Sequence, residues 1–471
     1  MRKHLVLVLC LASSAALAQI PNIEWKKAYG TIRGDNEGWM VQETSDGGFI
    51  IVGQNGGNEG YDRDIYLIKT DAVGDTVWTR SFETGSEEFG RAIRQTADGG
   101  FAVAGFIWNS NSANDAYLVK IDSLGNTQWQ RIYQCSIYND EARSLELTPD
   151  GGFIMVGRTG PPTDSDVLIV RVDSNGDTLW IRHYGGNFND RAWSVKNTYD
   201  GGFIVVGWSN LLPAPAENSQ IYIVKVNGDG DSLWTRRYGT AFNDEGRSVL
   251  ELADRRIIVA GKFGTGSVTA HSILLCLDEG GDSLWSAAYE SSYEATSVSS
   301  TLDGGFILCG YDIENSVYSE FVRKTDSLGQ SLWTISGESN TYARYIVQTS
   351  DGGFAFAGDS SDSVSLSKIS PDQTDINDEG LPLPMKLDFI KNYPNPFNSE
   401  TKIEYILYDN SHVSLTLYDL VGREVANLID SDQDIGIHQL EWHAQEMPSG
   451  VYFAMLQAGE YTATRKITLL K

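Results

Sequence analysis

Basic residues are scarce: 36 Lys and Arg stand against 63 Asp and Glu, a formal net charge of −27 over 471 residues. That deficit leaves no cationic footprint for a phosphate backbone and argues against nucleic acid as a partner. Charged residues make up only 21 %, too few for a solvated, disordered polyelectrolyte. Cysteine is rare as well. Of four, Cys10 lies in an N-terminal apolar run, and Cys135, Cys276 and Cys309 fit no zinc spacing. They allow one disulfide at most, so stability has to come from a packed core. The six histidines form no metal-ligand spacing, and no G-x-S-x-G, P-loop or dinucleotide fingerprint occurs. Neither a metal nor a cofactor is expected. Proline is low at 12, glycine is high at 48 and aromatics reach 11 %, a mix that suits a turn-rich β protein.

The N-terminus carries an address. Arg2 and Lys3 precede an apolar run from Leu5 to Leu17, and Ala16-Leu17-Ala18 stands before Gln19. This pattern predicts a secretory signal peptide over residues 1–18, cut between Ala18 and Gln19. The run is short for a membrane span, and no later stretch is long and apolar enough for one. Leu9 before Cys10 does not suit a lipoprotein signal.

Internal repetition dominates the rest. Trp25, Trp78, Trp129, Trp180, Trp234, Trp285 and Trp333 recur at intervals of 48–54 residues. D-G-G-F recurs at Asp46–Phe49, Asp98–Phe101, Asp150–Phe153, Asp200–Phe203, Asp303–Phe306 and Asp351–Phe354, with Asp254-Arg255-Arg256-Ile257 in the fifth unit. Seven units of about fifty residues point to a solenoid, propeller or array. Each unit reads as four strands joined by Gly-containing turns, and its middle runs, such as Gly202–Gly207, are apolar throughout. Such a sheet needs neighbours on both faces. The seventh unit lacks a Trp strand, whereas an extra one, Ile23–Tyr29, precedes the first. The pattern therefore predicts a closed seven-bladed β-propeller over residues 19–370, with Ile23–Tyr29 completing the last blade. One column is small in every unit: Gly38, Gly90, Ala142, Ala192, Gly246, Ala295 and Ala343. Crowding at a propeller axis places that strand innermost and the Trp strand outermost. The repeats resemble the DGGF-type propeller repeats of secreted bacterial proteins, and in plan are similar to quinoprotein and WD40 propellers. That resemblance fixes shape more than function.

Residues 371–386 are polar and proline-spiced, and read as a linker. From 387 to 471 the pattern changes to short alternating strands, which predicts a small β-sandwich. Its signature residues are Asn392, Pro394, Asn395, Pro396 and Phe397 in N-Y-P-N-P-F-N, Gly422 and Arg423 in Y-D-L-V-G-R-E-V, and Gly450 and Tyr452 in S-G-V-Y-F. Together these resemble the C-terminal sorting domain of the type IX secretion system, with its immunoglobulin-like fold. The resemblance implies export from a Gram-negative cell of the Bacteroidota type, with the secretion machinery as partner and a destination outside the cell or on its outer surface.

Candidate chemistry lies on the propeller. Acids recur in the loop entering each innermost strand and Arg follows, as in Glu141 with Arg143 and Glu245 with Arg247. Either these form a charged ring at the channel mouth, gripping a sugar acid, a peptide or a cation, or they are a structural ion pair copied with the repeat. Trp39 and Trp193 occupy a column that holds Arg or Thr in other blades. Trp108 and Trp208 are assigned to second-to-third-strand loops. Such departures from the repeat mark either a binding face or packing between blades. The Asp-rich turns, such as Asp173–Asp177, lack the sixth-position Gly and distal Glu of a calcium loop. The expectation is a binding scaffold that takes a glycan or protein on its top face; the alternative is a carbohydrate-active enzyme, a hydrolase or lyase, with no distinct catalytic residues to name.

Overall fold

The computed structural model describes residues 20–470 apart from segments 31–35, 57–62, 83–85, 109–112, 212–217, 267–268, 291, 315, 361–362, 372–386, 394–396, 408–410, 420–422, 434–435, 445–446 and 459–460. The expected cleavage site at Ala18 and Gln19, nearly all of the linker, Pro394, Asn395, Pro396 and Gly422 lie outside the described residues. No described helix is long and apolar enough to cross a membrane.

Seven antiparallel sheets of four strands follow one another around a common axis, as the seven Trp and D-G-G-F columns require. Their innermost strands are Glu37–Glu43, Glu88–Gln95, Asn139–Leu147, Asp190–Asn197, Glu245–Glu251, Glu294–Ser300 and Thr341–Gln348, and each lies against both neighbours. The second and third strands are buried on both faces, as Phe49–Asn55 and Asp64–Thr70 show. This explains why their sequences are apolar without alternation. The ring closes where the strand count says it must. Ile23–Tyr29 pairs antiparallel with Ser363–Ile369, from Ile23 opposite Ile369 to Tyr29 opposite Val364.

The small column faces the preceding blade. A Cβ on Gly90 would lie 2.6 Å from Val52 Cγ2, and one on Gly246 would lie 2.4 Å from Val206 Cγ2. The Trp column joins blades at the rim. Trp25 meets Phe49 edge-on at 5.9 Å, and Trp78, Trp129 and Trp333 meet Phe101, Phe153 and Phe354 likewise. Gly74, at φ 79°, leaves room for Trp25: a Cβ there would lie 2.7 Å from the indole. Tyr29 Oη donates to the carbonyl of Gly74, and Tyr133 Oη to that of Gly176.

The recurring Asp of each D-G-G-F turn pairs with a third-strand cation: Lys69 with Asp46, Lys120 with Asp98, Arg171 with Asp150, Lys225 with Asp200, Lys324 with Asp303 and Lys368 with Asp351. The fifth blade has Cys276 one residue from the end of its third strand, where Lys69 and Lys225 stand in theirs. There Arg256, in the turn itself, reaches Asp254 at 2.6 Å. The ion pair is kept although its cation comes from the turn rather than from the third strand. Cys135, Cys276 and Cys309 are all free thiols, the last two buried. The Asp-rich turns use their carboxylates locally. Asp173 Oδ1 accepts from the N–H groups of Asn175 and Asp177.

The C-terminal region has two sheets. One contains Leu387–Tyr393, Glu400–Leu407 and Gly436–His443; the other contains Ser411–Tyr418, Glu424–Gln433, Gly450–Ala458 and Tyr461–Leu469. They share one core that includes Phe397, Tyr405, Leu415, Trp442 and Leu456.

Candidate functional site in the axial channel

Every innermost strand carries a β-bulge at the same place, just after its small residue. The register slips between Gly38 and Met40, Gly90 and Ala92, Ala142 and Ser144, Ala192 and Ser194, Gly246 and Ser248, Ala295 and Ser297, and Ala343 and Tyr345. A bulge inserts one unpaired residue and re-aims its side chain. The extra residues are Trp39, Arg91, Arg143, Trp193, Arg247, Thr296 and Arg344, and all seven line one axial cavity of about 310 Å³. A single irregularity, copied seven times, therefore makes the wall of the site.

The ring is not symmetric. Trp39 lies between the guanidiniums of its two neighbours, with Arg91 3.7 Å and Arg344 3.9 Å from the ring centroid. Trp193 is flanked in the same way by Arg143 at 4.5 Å and Arg247 at 4.2 Å. Each indole is thus flanked by guanidiniums from both neighbouring blades, and Trp193 has a third, Arg191, at 5.4 Å. Thr296 is the one small member. Beside it, Tyr293, Tyr311, Tyr318 and Tyr342 form a cluster with successive ring centroids 4.7–5.8 Å apart.

Carboxylates stand behind the cations. Glu141 pairs with Arg143 at 2.6 Å and also with Arg158. Glu245 pairs with Arg247 and with Lys262, both at 2.9 Å. Glu294 binds Arg247 and accepts from Tyr311 Oη at 2.7 Å. Asp359 takes Arg344 on one oxygen and the backbone N–H of Gly38 on the other. Burial alone would raise the Glu141 carboxyl, but Arg143 and Arg158 hold it at about 2. Burial also opposes ionisation of Glu294, yet Arg247 and Lys262 keep it below the usual range. Asp359 is pushed up by burial against the pull of Arg344.

Further along the strands lies the cavity floor. Arg94 donates to both oxygens of Glu146 at 3.2 and 3.1 Å, and Lys196 reaches the same carboxylate at 2.8 Å. Arg94 also donates to Met40 Sδ at 3.0 Å. Burial would raise the Tyr345 phenol, but Lys196 and Arg94 bring it below its ordinary value.

Of the residues singled out from sequence, Trp39, Arg143, Trp193 and Arg247 meet around the cavity, with Glu141 and Glu245 as their carboxylate partners. Trp208 sits outside this ring, 5.7 Å from Arg191. Trp108 is 45 % exposed and does not line the cavity. Neither is a loop residue. Trp208 lies within strand Phe203–Asn210 and Trp108 ends strand Phe101–Trp108, because hairpin pairing runs on to Trp208 opposite Ile221 and Trp108 opposite Asn114. The floor residues Arg94, Glu146, Lys196 and Tyr345 escaped the sequence reading. A strict alternation count loses phase at the bulge. The seven small residues just before it were the available signal. In the C-terminal region Phe397 and Tyr452 are buried, Tyr452 Oη donates to the carbonyl of Pro448, and Arg423 pairs with Asp419 at 2.8 Å. Asn392 and Gly450 lie on strands Leu387–Tyr393 and Gly450–Ala458.

Comparison with known proteins separates the two regions. Residues 391–469 match the secretion system C-terminal sorting domain family. Over 213 residues the chain is 24 % identical to regulatory protein FlaEY of Caulobacter vibrioides, a match spanning 42 % of this chain and 18 % of that protein. Among solved structures, it is similar to PorZ of Porphyromonas gingivalis, a surface component of that organism's type IX secretion system. The TM-score is 0.40 at 10 % identity, covering 91 % of this chain and 58 % of the other. The β-propeller domain of the Trilobed protease from Pyrococcus furiosus gives a TM-score of 0.43 at 11 % identity, over 74 % of this chain and 100 % of the other. The repeated sheets and the matched tail together identify a seven-bladed β-propeller followed by a type IX secretion C-terminal sorting domain, which marks the chain for export to the cell surface or beyond.

Proposed function

We propose that the exported propeller is a binding scaffold that takes a glycan or protein ligand at the top of its axial channel. Residues 19–370 would form the binding unit. Residues 387–471, read as an immunoglobulin-like sandwich, would serve as the address, with Asn392, Pro394–Phe397, Gly422, Arg423, Gly450 and Tyr452 as the recognised signature. Ala18–Gln19 would be the leader cleavage site. Trp39, Arg143, Trp193 and Arg247 would contact the ligand, with Glu141 and Glu245 positioning the two guanidiniums.

The observation that carries this reading is the state of the carboxylates. Glu141, Glu245, Glu294 and Asp359 each bind a guanidinium; the cations hold Glu141 and Glu294 below the usual carboxylate range, and Asp359, which burial pushes up, has both oxygens engaged. Hydrolysis of a glycosidic bond needs one carboxyl kept protonated beside a second one free to act. Carboxylates already engaged by cations around a preformed cavity suit recognition better. The test is a glycan and surface-protein array probed with the whole mature chain and with Trp193→Ala. Specific capture that weakens in the variant is expected; equal capture by both would place the ligand elsewhere.

One observation favours a second reading, a lyase-type carbohydrate-active enzyme. Tyr345, at the floor between Arg94 and Lys196, has a phenol shifted towards ionisation, as a proton-abstracting base requires. Release of unsaturated oligosaccharides from an acidic polysaccharide, abolished by Tyr345→Phe, would support it.

A further inference from the structure

Among the described residues, the cavity is lined by Arg91, Arg94, Arg143, Lys196, Arg247 and Arg344 against a single lining carboxylate, Glu294. The carboxylates behind the wall do not restore the balance, because Glu141, Glu146 and Glu245 are each shared by two cations. A chain of net charge −27 thus concentrates positive charge on its axis.

Arg91 stands apart within that wall. It makes no ion pair with any described residue, whereas Arg143, Arg247 and Arg344 each do. Its guanidinium is held by π contacts instead, 3.7 Å from the Trp39 ring and 5.5 Å from Phe106. Nε and Nη1 are buried without a hydrogen-bond partner, and so are Trp39 Nε1, Trp193 Nε1 and Arg143 Nε. Buried donors without acceptors are rare in folded proteins and call for an explanation. A largely desolvated cation without a direct ion-pair partner adds to that cost. Burial, with Arg143 and Arg344 nearby and against the pull of the more distant Glu37 and Glu141 carboxylates, drives the Arg91 guanidinium well below its ordinary value.

We propose that the axial cavity is an oxyanion site centred on Arg91, and that it takes the carboxylate or sulfate of an acidic sugar. Two observations favour an acidic carbohydrate over a neutral one. The indoles that would stack on a neutral sugar are flanked by guanidiniums, so donors and charge are what the ring offers. The tyrosine cluster beside Thr296 provides half-buried rings with hydroxyls at the one place where the ring of large side chains is interrupted. The proposal rests on reading the cavity as a ligand site and names the chemistry of its occupant.

The test is calorimetric titration of the whole mature chain at fixed ionic strength. The probes are inorganic sulfate, an acidic oligosaccharide bearing uronate or sulfate groups, and its neutral counterpart. Arg91→Met removes the charge, Arg91→Lys keeps it, and Arg80→Met changes an exposed outer-strand arginine as control. The acidic oligosaccharide is expected to bind about tenfold or more tightly than the neutral one and to be displaced by sulfate. Arg91→Met should weaken it by about tenfold or more, Arg91→Lys by less, and Arg80→Met not at all. Equal binding of the neutral oligosaccharide, untouched by Arg91→Met, would overturn the oxyanion site and leave the scaffold reading intact. Sulfate binding that depends on Arg91, without binding of either oligosaccharide, would sustain the anion site and remove the glycan. No binding of any probe would overturn the oxyanion site.

Discussion

Replacing Glu146 by Gln should destabilise the propeller in a way that fades in acid. The carboxylate is 15 % exposed and is bound by Arg94 and Lys196 at the cavity floor. Burial alone would raise its pKa, but the two cations lower it from 4.5 to about 2. A group depressed in the fold adds stability above its unfolded pKa and loses it as pH falls towards the folded value. The shift of about 2.5 units corresponds to about 3 kcal/mol at pH 7. By the same linkage about 1.4 kcal/mol remains at pH 3. Glutamine cannot ionise, so it loses this contribution and leaves both cations without a counter-charge. Urea midpoints of wild type and Glu146→Gln at pH 7, 5 and 3 check the expectation. The deficit should be about 3 kcal/mol at pH 7 and smaller by about 2 kcal/mol at pH 3, with an unchanged denaturant slope. A deficit of equal size at all three values would mean that shape, not charge, matters at this position, and would refute the reasoning.

Three further outcomes are expected. Arg91→Met should raise the melting temperature of the unliganded protein, because removing an unpaired buried cation is worth about 1–2 kcal/mol beyond the lost contact with Trp39; a lower melting temperature would show that the stack outweighs the charge. Arg255→Gly should stabilise the fifth blade by about 0.5–1 kcal/mol in urea titration, since Arg255 sits at φ 68° where its sister blades carry Gly, while its 3.8 Å contact with Glu279 is a weak surface pair. Tyr29→Phe should cost about 1 kcal/mol through loss of the buried bond to the Gly74 carbonyl, and hydrogen exchange should rise first along Ile23–Tyr29; a neutral substitution would mean that this latch does not hold the closing strand.

The fold was legible because the sequence states it seven times. A lone Trp or a lone Gly-Gly turn says little, yet the two columns set the blade count, and the surplus strand before Gly38 set the closure. The axial site was legible only in part. Trp39 and Trp193 announced themselves by departing from a column of Arg and Thr. What they do there was hidden, because the flanking guanidiniums come from neighbouring blades, about fifty residues away in sequence or, for Arg344 beside Trp39, across the closure of the ring. The cavity floor was hidden for another reason. Arg94, Glu146 and Lys196 follow the bulge, where side-chain alternation changes phase and residues counted as outward-facing turn inward. The fifth blade hid its ion pair in a different way. Its decayed turn looks like lost structure, whereas Arg256 replaces the cation that Cys276 cannot supply.

The pairing of the first strand with the last has a consequence for synthesis. Ser370 N donates to the carbonyl of Asn22, and Asn22 N donates to Ser370 Oγ, so the ring's beginning and end are fastened together. A product truncated before residue 363 would leave Ile23–Tyr29 with no edge to join. Shutting of the ring therefore waits until its last strand has been made, so an earlier truncation leaves an open edge on the seventh sheet.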